Sequence, residues 1–282
     1  MKALIIGSRG MLGQELARTF SDSELSLWDR AEIDITEKED TFNKIASLHP
    51  EIIINAAAYN NVDAAETDSE TADRVNGYAV GYLASVAQEI GAILVHYSTD
   101  YIFDGQKKEG YAEDAPQSPI SAYARSKALG EQELQRCCTK YYLIRLSRLF
   151  GSPGSSQETK ESFVDKMLKL SHEKSTLTVI DEELSCPTYA SDLARRTREI
   201  VDGNNPWGIY HVTNAGGCTW YGFAKEIFAQ IGWSGTLIPV PAGTFPRPAQ
   251  RPRYSMLINT KLPKLQKWQD ALRDYLSTKP TL

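Results

Sequence analysis

The tightest constraint on this chain lies at its very start. Ala3-Leu4-Ile5-Ile6 is a short apolar run of the strand type, Gly7-Ser8-Arg9-Gly10-Met11-Leu12-Gly13 follows without a gap, and Met11 to Phe20 then has helical periodicity. Spaced glycines between a strand and a helix let the backbone turn tightly and approach a pyrophosphate, which rests on the free N–H groups and positive end of the helix. A turn of this composition could also merely pack helix on strand. Strand, spacing and helix in register favour nucleotide binding, with Gly7, Arg9, Gly10, Met11, Leu12 and Gly13 as the residues that would meet the ligand.

The rest of the first half repeats the alternation of short apolar and longer amphipathic runs that builds strand-helix-strand units over a parallel sheet. Strands are predicted at Leu25 to Trp28, Ile52 to Asn55, Ile93 to Tyr97 and Tyr142 to Leu146, and helices at Glu37 to Leu48, Glu70 to Ile90 and Ala122 to Cys137. After Gly151 the rhythm breaks, and Ser152 to Ser156 has loop composition. One helix-strand unit returns at Ser191 to Val201 and Ile209 to Val212, and a Pro-rich stretch from Pro239 to Pro252 separates it from a short C-terminal helix around Gln266 to Leu276. The expected fold class is α/β, a doubly wound parallel sheet of the Rossmann type with a smaller, discontinuous C-terminal lobe. Residues 1–151 form the dinucleotide-binding part, with 185–214 returning to it, and 152–184 with 215–282 form the substrate-binding lobe.

The second strand ends in Asp29-Arg30. A carboxylate there would bind a ribose 2'-hydroxyl, whereas Arg30 with Arg9 could pair with a 2'-phosphate, so both NADH and NADPH are served.

The chain contains two Tyr-x-x-x-Lys turns, Tyr123 to Lys127 and Tyr221 to Lys225. The spacing alone is uninformative, but the settings differ. Leu94 to Tyr101 carries Ser98-Thr99 off the end of the fourth strand, into the crevice where doubly wound folds bind ligands, and Tyr123 and Lys127 share a face of the next helix. Tyr221 lies far in sequence from any such strand. Reducing a ketone by hydride leaves an alkoxide that must take a proton, and a tyrosine at its ordinary pKa near 10 releases one reluctantly. A neighbouring Lys127 ammonium is expected to lower the Tyr123 pKa, and Thr99 to polarise the carbonyl. Thr99, Tyr123 and Lys127 are therefore the catalytic candidates.

On these residues the chain resembles the extended short-chain dehydrogenases/reductases and, among them, the dTDP-4-dehydrorhamnose reductase branch. The resemblance runs over nearly the whole length. It is carried by the Gly-x-x-Gly-x-x-Gly loop, Asn55-Ala56-Ala57-Ala58-Tyr59 with Val62-Asp63 and Glu66, Arg74-Val75-Asn76, Ser98-Thr99-Asp100-Tyr101-Ile102-Phe103-Asp104-Gly105, Tyr123 and Lys127, and Arg251-Pro252 with Ser255-Met256-Leu257. It implies hydride transfer from NADPH or NADH to the C4 keto carbon of a dTDP-linked 6-deoxysugar. Asn55, Ala56, Ala57, Tyr59, Asn76 and Ser98 would then line the cofactor together with Tyr123 and Lys127, and Asp34 and Ile35 would contact its adenine. Val62, Asp100, Tyr101 and Arg251 would face the sugar nucleotide. Read directly, Arg247, Arg251 and Arg253 in a Pro-rigid loop suit a diphosphate, although a solvated basic loop has the same composition.

Two positions depart from the branch. Arg148 stands where it has a tryptophan, and Asn60-Asn61 where it has Thr-Ala. Arg148, just past a strand that leads into the crevice, is expected to swing toward a carboxylate or diphosphate, the other course being recognition of a group the rhamnose precursor lacks. The alternatives in function are a reductase of another 4-keto-6-deoxysugar nucleotide, and a dinucleotide-binding regulatory subunit similar to the methionine adenosyltransferase β subunit.

Composition removes other classes. A net charge of -5 without a long Lys/Arg run argues against a nucleic-acid surface, and the apolar runs are far shorter than the ~20 residues that span a bilayer. Cys137, Cys138, Cys186 and Cys218 show no metal spacing and read as reduced thiols of a cytoplasmic protein. No metal is expected. Some relatives dimerise around a glutamate-held metal, and Glu15 matches one such position, so a homodimer is possible.

Overall fold

The computed structural model describes residues 1–155 and 161–279; Ser156, the last residue of the expected loop, lies outside them. In chain order its strands and helices are β1 (Lys2–Ile6), α1 (Met11–Thr19), β2 (Glu24–Trp28), α2 (Lys38–Leu48), β3 (Ile52–Asn55), α3 (Ser69–Asp73), α4 (Ala79–Ile90), β4 (Ile93–Thr99), α5 (Ala122–Cys137), β5 (Tyr141–Leu146), β6 (Leu149–Phe150), α6 (Phe163–Glu173), β7 (Thr176–Ile180), β8 (Thr188–Tyr189), α7 (Ala190–Asp202), β9 (Gly208–His211), α8 (Trp220–Ile231), β10 (Thr236–Val240) and α9 (Trp268–Ser277).

Six strands form a parallel sheet in the order β2-β1-β3-β4-β5-β9. Its construction follows from the period of two along each strand. Ala3 and Ile5 of β1 and Ile52 and Ile54 of β3 face a core shared with α1 and α7, while Leu4, Ile6 and Ile53 face one shared with α2, α4 and α5. Both faces are thus apolar and covered, as parallel sheets require, and each buried Ile or Leu contributes roughly 1.5–3 kcal/mol of transfer free energy. A third core gathers Phe150, Val164, Met167, Leu177, Val179, Phe223, Ile227, Trp268 and Tyr275 from β6, α6, β7, α8 and α9.

Chain direction along the sheet reverses between β1 and β3, so the crevice lies beyond the carboxyl ends of β1, β3 and β4, where Gly7, Ala56 and Thr99 emerge. Two predicted elements differ in detail. The helix expected from Glu70 to Ile90 is interrupted by a π turn at Arg74–Tyr78, an insertion that sequence periodicity does not register. The Pro-rich stretch begins inside β10, where Pro239 pairs with Val179 of β7. A two-stranded sheet leaves β10 one free edge, and a proline there removes no ladder bond.

Candidate active site

At the end of β1, Gly7 has φ +77°, and a Cβ on it would meet Ala57 N at 2.7 Å; one on Gly13 would meet Gly7 O at 2.1 Å. The loop therefore folds only with glycine at both places. Gly10 caps α1 without a side-chain bond, which leaves the helix N-terminus open toward the crevice. Asp29 holds this loop to β2, accepting Arg9 N at 3.0 Å and Arg30 N at 2.8 Å, and the Arg9 guanidinium pairs with Glu32 at 3.1 Å. Asp29 and Arg9, two of the sequence-predicted ribose readers, thus also brace the loop. Met11 lies half-buried at the start of α1, Leu12 enters the core beneath it, and Asp34 is exposed, its carboxyl held below its ordinary value by the hydroxyl and N–H of Thr36. Ile35 turns its side chain into the core, so only its backbone is left for an adenine.

The segment after β3 is pinned from behind. Asn55, buried, accepts Ala57 N at 3.1 Å, and its amide nitrogen faces His96 Nδ1 at 3.1 Å. Asn76, in the π turn, clasps Tyr59 by both backbone groups at 2.9 and 3.0 Å and reaches Ser126 Oγ at 3.0 Å. Asn55 and Asn76 therefore shape the wall that Ala56, Ala57 and Tyr59 present. Ser98 Oγ is buried without a hydrogen-bond partner. An orphaned hydroxyl at the strand edge, above a glycine cradle with an open helix end, fits a dinucleotide held by Gly7, Gly10, Gly13, Ala56, Ala57 and Ser98.

The three catalytic candidates come together. Thr99 ends β4 with its hydroxyl beside the Tyr123 phenol; Tyr123 opens α5, whose start is fixed by Ser121 Oγ on Ala124 N at 3.2 Å and by Glu66 on Ala122 N at 2.8 Å. Lys127, one turn on, is 2% exposed and donates from Nζ to the Tyr97 carbonyl at 2.7 Å. Burial brings the Lys127 amine down to about 8, against the opposing charge of Glu131. The expected lowering of Tyr123 by Lys127 is not found. Burial pushes the phenol up to about 12, the Thr99 hydroxyl opposing and the Asp100 charge adding. Lys127 spends its bond on a backbone carbonyl, so desolvation decides the phenol.

On the substrate side, Val62 and Tyr101 pack with Tyr59, Ala122 and Tyr123 in one apolar cluster, Tyr101 standing edge-on to Tyr123 at 6.2 Å. Arg251 grips Asp63 with two bonds of 2.7 and 2.6 Å, tying the Pro-rigid loop to the segment after β3 and holding the Asp63 carboxyl below its ordinary value. Arg247 pairs with Glu183. Arg247, Arg251, Arg253, Glu183, Ile120 and Phe245 line a cleft of about 540 Å³.

Two assignments need correction. Asp100 does not face this cleft: it is 3% exposed, and its Oδ2 accepts Ser147, Ser185 and Ser255 at 2.9, 2.9 and 2.5 Å while Oδ1 accepts Thr99 at 3.2 Å. A buried carboxylate needs donors, and three serines from distant segments supply them. Arg148 forms no ion pair with a carboxylate among the described residues. In a left-handed backbone (φ 43°) it donates to the carbonyls of Cys218 at 2.8 Å and Glu183 at 2.6 Å and stacks 3.9 Å from the Trp220 ring. Carbonyl acceptors and an aromatic face satisfy a half-buried guanidinium as well as an ion pair would. Trp220, itself bonded to Glu183 at 2.9 Å, Glu183 and His96 are the site's neighbours that sequence reading missed; only the aromatic at the start of a helix could have hinted at the first. Glu15 pairs with Arg18, and among the described residues no group of three or more His, Cys, Asp or Glu is arranged to hold a metal.

The family model for the RmlD substrate binding domain matches residues 1–280. This chain belongs to the RmlD family. Within it, the chain is 34% identical to the dTDP-4-dehydrorhamnose reductase of Burkholderia thailandensis over 98% of its own length and 100% of that protein's. It is 36% identical to a probable dTDP-4,6-dihydroxy-2-methyloxan-3-one 4-ketoreductase of Streptomyces antibioticus, covering 97% and 94% of the two chains. Its fold superposes with a TM-score of 0.93 on the dTDP-4-dehydrorhamnose reductase of Bacillus anthracis solved in complex with NADP, at 31% identity and over 99% and 100% of the two chains. RmlD family membership accounts for the parallel sheet and the glycine loop together.

Proposed function

We propose that this chain is an NAD(P)H-dependent reductase of a 4-keto-6-deoxysugar nucleotide, and that dTDP-4-dehydro-L-rhamnose, yielding dTDP-L-rhamnose, is its substrate. One observation carries the reading: Thr99, Tyr123 and Lys127 converge at the sheet edge beside a cradle fit for a dinucleotide. The bound dinucleotide would supply the hydride. Tyr123 would give its proton to the carbonyl oxygen, Thr99 would hold the phenol in place, and Lys127 would take up the charge change behind it. The names and the NADP complex of the relatives support the same chemistry.

We also propose that 152–184 and 215–282 act as the substrate lobe, with the 540 Å³ cleft taking the nucleotide diphosphate on Arg247 and Arg251. Four free cysteines support a cytoplasmic setting, and sedimentation of the purified protein would check the homodimer. Among the described residues no helix is long and apolar enough to cross a membrane.

A second reading, reduction of a related keto sugar, is favoured by Arg148 and by the Streptomyces relative. A substrate panel separates them: dTDP-4-dehydro-L-rhamnose made in situ, against 4-keto-6-deoxysugars on other nucleotides or bearing charged groups, each with NADPH and no partner protein. Turnover of the first, with Arg148→Trp changing kcat/KM by less than about tenfold, about 1.4 kcal/mol, supports the main reading. Activity on a charged analogue alone, destroyed by Arg148→Trp, selects the second. No turnover of any would leave a regulatory subunit.

A further inference from the structure

His96 is 1% exposed in the middle of β4, across from Asn55, and no step above uses it. The direction of its hydrogen bonds can be read from one end. The Ala57 N–H can only donate, and it donates to Asn55 Oδ1, so the Asn55 amide turns its NH2 toward His96 Nδ1. Nδ1 must then accept, and the proton of the neutral ring sits on Nε2. Nε2 faces Lys127 Nζ at 3.5 Å. An N–H aimed at an ammonium opposes donor to donor; aimed at a neutral amine it meets the lone pair, while the amine's own N–H remains on the Tyr97 carbonyl.

We propose that His96 is a positioning residue whose Nε2–H receives the neutral-amine form of Lys127 and favours it over the ammonium. The surroundings of Lys127 are consistent with this. From its own helix the Glu131 charge reaches it; from β4 it meets His96 and the Tyr97 carbonyl, the Tyr97 phenol pointing away to Thr197. Glu131 is the one group favouring the ammonium, and Arg145 of β5 takes its carboxylate at 2.7 Å. Burial depresses both His96 and Lys127, so neither carries a charge easily. Lys127 and His96 are then linked, and through Asn55 the pair is anchored to the Ala57 backbone at the dinucleotide wall.

The proton placement is independent of the proposed reaction; its kinetic consequence rests on it. With four histidines in the chain, ring 15N spectra of the apoprotein are assignable by His96→Gln. The expected result is an Nε2–H tautomer for His96 that stays neutral from about pH 9 down to pH 6 and below, through the range near 6.5 where an unperturbed ring takes up its proton. An Nδ1–H tautomer, or an imidazolium in that range, overturns the proposal. In kinetics, His96→Leu removes the N–H that favours the neutral amine. The basic limb of the kcat/KM profile should move up by about half a pH unit or more with the dinucleotide KM within about threefold, while His96→Gln, which keeps an N–H donor, holds the limb near its wild-type position. Equal limbs in the two variants overturn it. Absence of any turnover would defeat the reductase reading, and the spectra would still decide His96.

Discussion

Helices α5 and α8 each begin with Tyr-x-x-x-Lys, and each is capped by a hydroxyl, Ser121 in one and Thr219 in the other. From there they diverge. Tyr123 and Lys127 are buried against the end of β4, in reach of Thr99 and the Tyr97 carbonyl, whereas Tyr221 is half-buried against the third core and Lys225 is exposed. The same two side chains at the same spacing are buried at a strand edge in one helix and form a piece of wall in the other. What differs is the desolvation and the strand edge, and these come from chain placed elsewhere.

The largest test of this contrast is activity. Tyr123→Phe should lower kcat/KM by about 10²–10⁴-fold with dinucleotide affinity within about threefold, because the lost hydroxyl acts on the reacting oxygen. Tyr221→Phe should stay within about twofold. Steady-state kinetics on the two variants check this, and an inactive Tyr221→Phe beside an active Tyr123→Phe would reverse the assignment.

Next comes stability. Lys127 has its folded-state pKa lowered to about 8 from 10.5, so between those values the unfolded chain binds a proton that the folded chain does not. Stability contributed at Lys127 therefore rises with pH across that window, by an amount on the order of 3 kcal/mol. Below pH 8 the buried ammonium is a net cost. In urea unfolding of the apoprotein, wild type should gain stability relative to Lys127→Met from pH 8 to 10, and Lys225→Met should run parallel to wild type. A flat difference for Lys127→Met would show that its amine is solvated.

The smallest effect lies at the dinucleotide end. Arg30→Ala should raise the KM for NADPH by about threefold to tenfold, the worth of one exposed charge-assisted contact, and leave NADH nearly unchanged. Equal changes with both cofactors would remove Arg30 from the 2'-phosphate.

The first half of the fold was legible because each element announces itself locally: β1 and β3 by apolar runs, α1 by its glycine start, α5 by its length. The third core was not. β7 and β10 are short, and with α6 they bury themselves on Phe150, Trp268 and Tyr275, which are scattered over more than a hundred residues, so no window of sequence contains the reason for them. The candidate site divides the same way. That Thr99, Tyr123 and Lys127 would come together could be read from the strand end and the shared helix face. The burial that raises Tyr123, the serines that claim Asp100 and the Trp220 face that receives Arg148 are long-range facts, and on those the expectations failed.

The serine bonds on Asp100 also set a schedule for biosynthesis. Ser147, Ser185 and Ser255 follow Asp100 by 47, 85 and 155 residues. At about 5–20 residues per second, roughly 10–30 s separate the emergence of Asp100 from that of its last partner. Through that interval the nascent chain can assemble β1 to β5 and their helices around a carboxylate that is still awaiting its donors. The catalytic edge next to it is completed only when most of the chain has left the ribosome, and the three hydroxyls then join it in succession.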